Sequence, residues 1–90
     1  MKRIVLDGKE MTSRKQAHLY IKEKMGFPEY YGCNLDALAD CLSEISEKKK
    51  IVLKNFKEFE ENLGAYSKGF VRVFEDMASE NENIRFKCEE

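Results

Sequence analysis

The chain has 90 residues, 42% of them apolar and 37% charged, and a net charge of -1. That length supports one domain over residues 1–90 with a single core, and the apolar share is too high for a disordered chain. The longest apolar runs, Ile4-Val5-Leu6 and Ile51-Val52-Leu53 among them, fall far short of the roughly 20 residues of a membrane span. The N-terminal residues contain no signal-peptide core, so a cytoplasmic protein is expected.

Lys2 to Leu6 reads as a strand closed by the turn signal Asp7-Gly8. Ser13-Arg14-Lys15-Gln16 fits a capping box, and Ala17, Tyr20, Ile21 and Met25 then share one face of a helix that Gly26 and Pro28 end. Asn34 is a good N-cap for a second helix over about 35–46, with Leu35, Leu38, Leu42 and Ile45 on its buried side. Ile51 to Leu53 does not alternate and is expected to be a strand buried on both faces. Asn55 is placed to cap a short helix carrying Phe56, Phe59 and Leu63, stopped by Gly64. A further helix over about 67–80 puts Phe70, Val73, Phe74 and Met77 on one side, and Ile84 to Cys88 reads as a last, alternating strand. Strands separated by helices imply right-handed crossovers, so the predicted fold is α/β, a small three-stranded parallel sheet with about four helices.

The charge is segregated along the chain. Residues 1–24 carry seven bases and three acids, whereas residues 25–47 carry Glu29, Asp36, Asp40, Glu44 and Glu47 with no lysine or arginine. On the second helix, Asp36, Asp40, Ser43 and Glu47 fall within about 60° of one another at 100° per residue. Solvated helix faces usually mix Glu with Lys and recover the like-charge repulsion; this one does not. The stripe therefore suggests a cationic partner and, by its sign, no nucleic acid. Beside it, Tyr30-Tyr31-Gly32 offers two adjacent loop tyrosines, at least one of which is expected to be exposed as an interface anchor.

The run Pro28-Glu29-Tyr30-Tyr31-Gly32-Cys33-Asn34-Leu35-Asp36-Ala37-Leu38-Ala39-Asp40-Cys41-Leu42 resembles the signature segment of the barstar family, intracellular inhibitors of the secreted ribonuclease barnase. The likeness extends along the whole chain, more thinly outside residues 28–42. It implies a cytoplasmic inhibitor of a basic, barnase-like extracellular ribonuclease, monomeric when free and binding one to one without cofactor, metal or membrane. The second helix and the loop before it would plug the nuclease active site. By the resemblance, Asp40 stands in for a substrate phosphate, Asp36 pairs with further basic residues, and Tyr30 packs near the nuclease's catalytic histidine. Tyr31, Gly32, Asn34, Leu35 and Ser43 would line the interface, and Asp76 takes the place of a second-site acid on the last helix, one methylene shorter. Ala39 and Ile45 stand where the family has tryptophans, and Cys33 where it has an acid; Ala39 removes bulk beside Asp40, so a flatter contact surface is expected there.

The alternative is a barstar-like binding module or antitoxin for a partner that is not a ribonuclease. A metal-dependent enzyme built on Asp36-x-x-x-Asp40 is weaker, because His18 is the single histidine, lies on another helix, and no glycine-rich phosphate loop accompanies it. Three cysteines lack zinc or redox spacing and are expected to be reduced, with Cys41 and Cys88 packed as small hydrophobes and Cys33 exposed.

Overall fold

A computed structural model describes residues 1–90. Strand β1 (Lys2–Asp7) runs into one 3-10 turn over Gly8–Glu10 and then helix α1 (Arg14–Met25). Helix α2 (Leu35–Ser43), strand β2 (Lys49–Lys54), helices α3 (Phe56–Leu63) and α4 (Ala65–Glu80) and strand β3 (Ile84–Cys88) follow. The sheet is parallel throughout, in the order β1-β2-β3. Because both crossovers step the same way, right-handedness puts the helices on one side of it.

The register aligns Ile4 with Ile51 and Phe86, and Leu6 with Leu53 and Cys88, on the face turned to the helices. These side chains, Cys88 excepted, meet Ala17, Ile21 and Met25 of α1, Leu38 and Leu42 of α2, Phe59 of α3, and Phe70 and Phe74 of α4 in one core. Phe74 stacks on Phe86 at 5.0 Å, and Phe59 meets Phe70 edge to face. Val5 and Val52 belong to the other face and stay outside that core. Val52 is nonetheless buried, as expected for β2, the central strand, which is paired on both sides.

Four details depart from the sequence expectation. α2 stops at Ser43, three residues short of 46, because Asn81 donates to the carbonyls of Leu42 and Ile45 (3.0 Å each) and Asn83 donates to Ile45 O (3.2 Å). These bonds hold the last turn in a tightened form, with Glu44 N donating to Cys41 O and Ile45 N to Leu42 O. Asn55 does not cap α3: it lies in the left-handed region at φ 56° and its amide donates instead to Asp7 Oδ1 at 2.9 Å. That bond, joined by the backbone N–H of Lys9, holds the Asp7 carboxyl below the usual carboxylate range. α4 begins at Ala65 rather than near Ser67, whose buried hydroxyl donates back to Gly64 O within the first turn. Cys88 is exposed, not packed, since it closes an edge strand; Cys33 and Cys41 are half-buried.

Candidate partner-binding site

The site is the loop after α1 and the outward side of α2. Gly26 ends α1 in the left-handed conformation at φ 71°, with its N–H on Lys22 O. Pro28 then bars further helix, and Tyr31 N donates to Pro28 O (3.0 Å) to close a turn. The turn sends the two tyrosines opposite ways. Tyr30 is 87% exposed, whereas Tyr31 is only 6% exposed and packs its ring on Phe27 at 5.1 Å.

A three-membered buried network fixes Tyr31. Its hydroxyl lies 2.7 Å from His18 Nδ1, and His18 Nε2 lies 2.9 Å from the Tyr66 hydroxyl. A neutral imidazole has one donor and one acceptor nitrogen, so it gives a hydrogen bond to one tyrosine and takes one from the other. Burial, with no carboxylate nearby, pushes the His18 pKa down to about 4 and raises that of Tyr31. The Arg14 guanidinium lies 4.3 Å above the Tyr66 ring. The loop is thereby tied to α1 and α4 at once. Tyr31, expected to line the interface, has its side chain committed to this network and presents no aromatic surface.

Asn34 connects the loop to α2. Its Oδ1 accepts from Ala37 N at 2.7 Å while its Nδ2 donates to Gly32 O at 3.2 Å, so one side chain caps the helix and fixes the loop. Cys33 completes the bend at φ 52°, a left-handed conformation uncommon outside glycine. Leu35 sits over Gly69 of α4, where an added Cβ would come within 3.1 Å of its Cδ1; the missing side chain lets α2 approach α4 closely. Asn34→Ala is expected to destabilise the protein by about 1 kcal/mol, read from the midpoint of chemical denaturation.

Asp36, Asp40 and Ser43 all point to solvent, opposite the buried Leu38 and Leu42. The Ser43 hydroxyl donates to Asp40 O at 2.6 Å, which leaves the Asp40 carboxylate itself free. Neither aspartate is within 4.0 Å of a Lys, Arg or His nitrogen; the four ion pairs of the molecule lie elsewhere. Glu47, assigned to the same stripe, lies past the end of the helix. Asp76 of α4 is exposed, with only a long contact to Arg72 (3.9 Å). It borders a hollow of about 340 Å³ between α2 and α4, lined by Ala39, Val73, Asp76, Met77, Ser79 and Glu80. Ala39, next to Asp40, forms one wall of this shallow, open hollow.

No group of three or more His, Cys, Asp or Glu side chains comes together anywhere in the chain, and His18 is held between two tyrosines inside the core. The role of His18 in ordering the loop was not readable from sequence: its second partner, Tyr66, is 48 residues away. No helix is long and apolar enough to cross a membrane.

Fold and site together define a small α/β domain that holds free carboxylates and one bare tyrosine on a braced edge. The model of the Barstar family, "Barstar (barnase inhibitor)", matches residues 1–89. The "Putative ribonuclease inhibitor YrdF" of Bacillus subtilis (strain 168) is 37% identical over 81 residues, 89% of each chain. The chain belongs to the barstar family.

Proposed function

We propose that this protein is a cytoplasmic inhibitor of a basic, barnase-like secreted ribonuclease, binding one to one and closing its active site with α2 and the loop before it. The observation that carries the reading is the pair Asp36 and Asp40: exposed, one turn apart, unpaired, and mounted on a helix capped by Asn34 and seated on α4. A ribonuclease active site must stabilise phosphate, so it is lined with cations. Carboxylates fixed in the same outline satisfy those cations without offering a bond to cut. Preorganisation lowers the ordering cost of docking, and the acidic surface speeds encounter with a basic enzyme.

In this reading Asp40 takes the phosphate position, Asp36 meets neighbouring basic groups, and Tyr30 supplies the aromatic contact. Gly32, Asn34, Leu35 and Ser43 form the surrounding surface, and Asp76 adds a charge from α4. Tyr31 acts from behind, by holding the loop. The names borne by the family and by the Bacillus subtilis relative support an inhibitor of ribonuclease over an enzyme. The hollow at Ala39 favours, as a second reading, a family member fitted to another basic partner, a toxin that is not a ribonuclease.

The test is cleavage of a fluorogenic RNA by barnase, and by the basic ribonuclease fraction of the host's culture medium, with increasing inhibitor. Loss of cleavage at one equivalent is expected for at least one of them. Undiminished cleavage by both, with a tight complex to some other basic protein, would select the second reading.

A further inference from the structure

The face of the sheet turned away from the helices has the opposite sign to α2. The register sets Arg3, Lys50 and Arg85 side by side across all three strands, every one exposed. Lys87 follows one row on, beside Val5 and Val52, and Lys54 one row further, opposite Asp7. Asp7 is engaged by Asn55, and Lys87 pairs with Glu89 at 3.4 Å, but no carboxylate lies within 4.0 Å of Arg3, Lys50 or Arg85. Like charges directly opposite one another destabilise a sheet, so the row is unfavourable in the isolated molecule until an anion neutralises it.

We propose that this outer face, through Arg3, Lys50, Arg85 and Lys87, binds the phosphate backbone of single-stranded RNA. The row spans about 10 Å at the 4.7–4.9 Å strand spacing, a strip suited to one nucleic-acid strand. No aromatic side chain shares this face, so bases have nothing to stack on and recognition is confined to phosphates, without regard to sequence. Val52 is buried and Val5 half-buried, so the face offers a bilayer no exposed apolar anchor beside its charge, which disfavours a lipid surface. The expectation of no nucleic acid rests on the sign of the acidic segment that carries α2, which does not describe this face. Because the sheet itself lies between this face and the helical layer that carries α2, RNA held here leaves the proposed nuclease contact free.

Fluorescence anisotropy of a labelled oligouridylate of about 20 nucleotides tests the proposal on the full chain. A Kd in the range of roughly 1–100 μM is expected at about 50 mM salt, with log K falling on log salt at a slope of about -2 to -3 for three to four phosphates. Lys50→Glu combined with Arg85→Glu should weaken binding at least about tenfold and flatten that slope. Lys50→Glu alone places an acid between two arginines, so it should also weaken RNA binding several-fold while its melting temperature equals or exceeds that of the parent. Loss of RNA binding in that variant is then not a folding defect. Asp36→Asn with Asp40→Asn should leave RNA binding unchanged or tighter. No binding at low salt, a slope near zero, equal binding by the Lys50→Glu/Arg85→Glu variant, or stronger capture by anionic phospholipid vesicles than by RNA would overturn the proposal.

Discussion

Asp40→Ala is expected to weaken the complex with the target ribonuclease at least about a hundredfold while leaving the free protein as stable as before. In the free molecule the carboxylate is exposed, makes no ion pair and stands one turn from Asp36. Removing it relieves a repulsion of a few tenths of a kcal/mol. In the complex the same group would be desolvated against cations, and deleting one side of such a pair costs about 3–5 kcal/mol because the other side is left buried and unmatched. At 1.4 kcal/mol per tenfold, that is about two to three and a half orders of magnitude in Kd. Titration of the inhibitor against RNA cleavage, beside a thermal melt of the free variant, separates the two effects. Undiminished inhibition would remove Asp40 from the contact, and a fall in melting temperature would give it a structural part instead.

The second large effect lies inside the molecule. His18→Ala is expected to cost about 3 kcal/mol, since it opens a cavity and strands the buried Tyr31 hydroxyl and the half-buried Tyr66 hydroxyl. For a domain of this size that lowers the melting temperature by more than about 10 °C. The same residue sets an acid limit. With a folded pKa of about 4 and an unfolded one of about 6.5, the unfolded chain takes up a proton in this window and the folded chain does not. Stability is therefore full above pH about 6.5, falls as pH drops toward 4, and loses on the order of 3 kcal/mol across that interval. Below it, the lowered pKa of Asp7 withdraws a further contribution as its carboxylate is protonated and the bond from Asn55 weakens. Denaturation midpoints measured from pH 7 to 4 should show this decline in the parent and a flatter profile in His18→Gln. Since Tyr31 loses its anchor in the variant, affinity for the nuclease should fall even though His18 touches no partner.

What was legible in the sequence is what local chemistry decides. Ser13 accepts from Gln16 N and opens α1, Gly26 closes it, and Asn34 caps α2, each as its residue type and position require. The parallel sheet followed from three apolar runs separated by helical periodicity. The carboxylates of α2 were placed outward because leucines three and four residues apart fix the opposite face.

What was not legible depends on residues distant in sequence. Asn81 and Asn83 shorten α2 from nearly 40 residues away, and Asp7 diverts Asn55 from capping across 48. Nothing in the sequence around His18 foretells Tyr66. The basic row was hidden for another reason. Arg3, Lys50 and Arg85 are ordinary outward positions in their own strands, and only the register brings them together.

The most direct test of the central claim is the inhibition constant of the Asp36→Asn/Asp40→Asn variant against the ribonuclease that the parent inhibits, measured by RNA cleavage at physiological salt. Both replacements keep the shape and remove the charge. If carboxylates in the outline of phosphates close the active site, this variant, folded and as stable as the parent, should lose inhibition by several orders of magnitude. Inhibition at parental strength would contradict the account, because shape alone would then suffice.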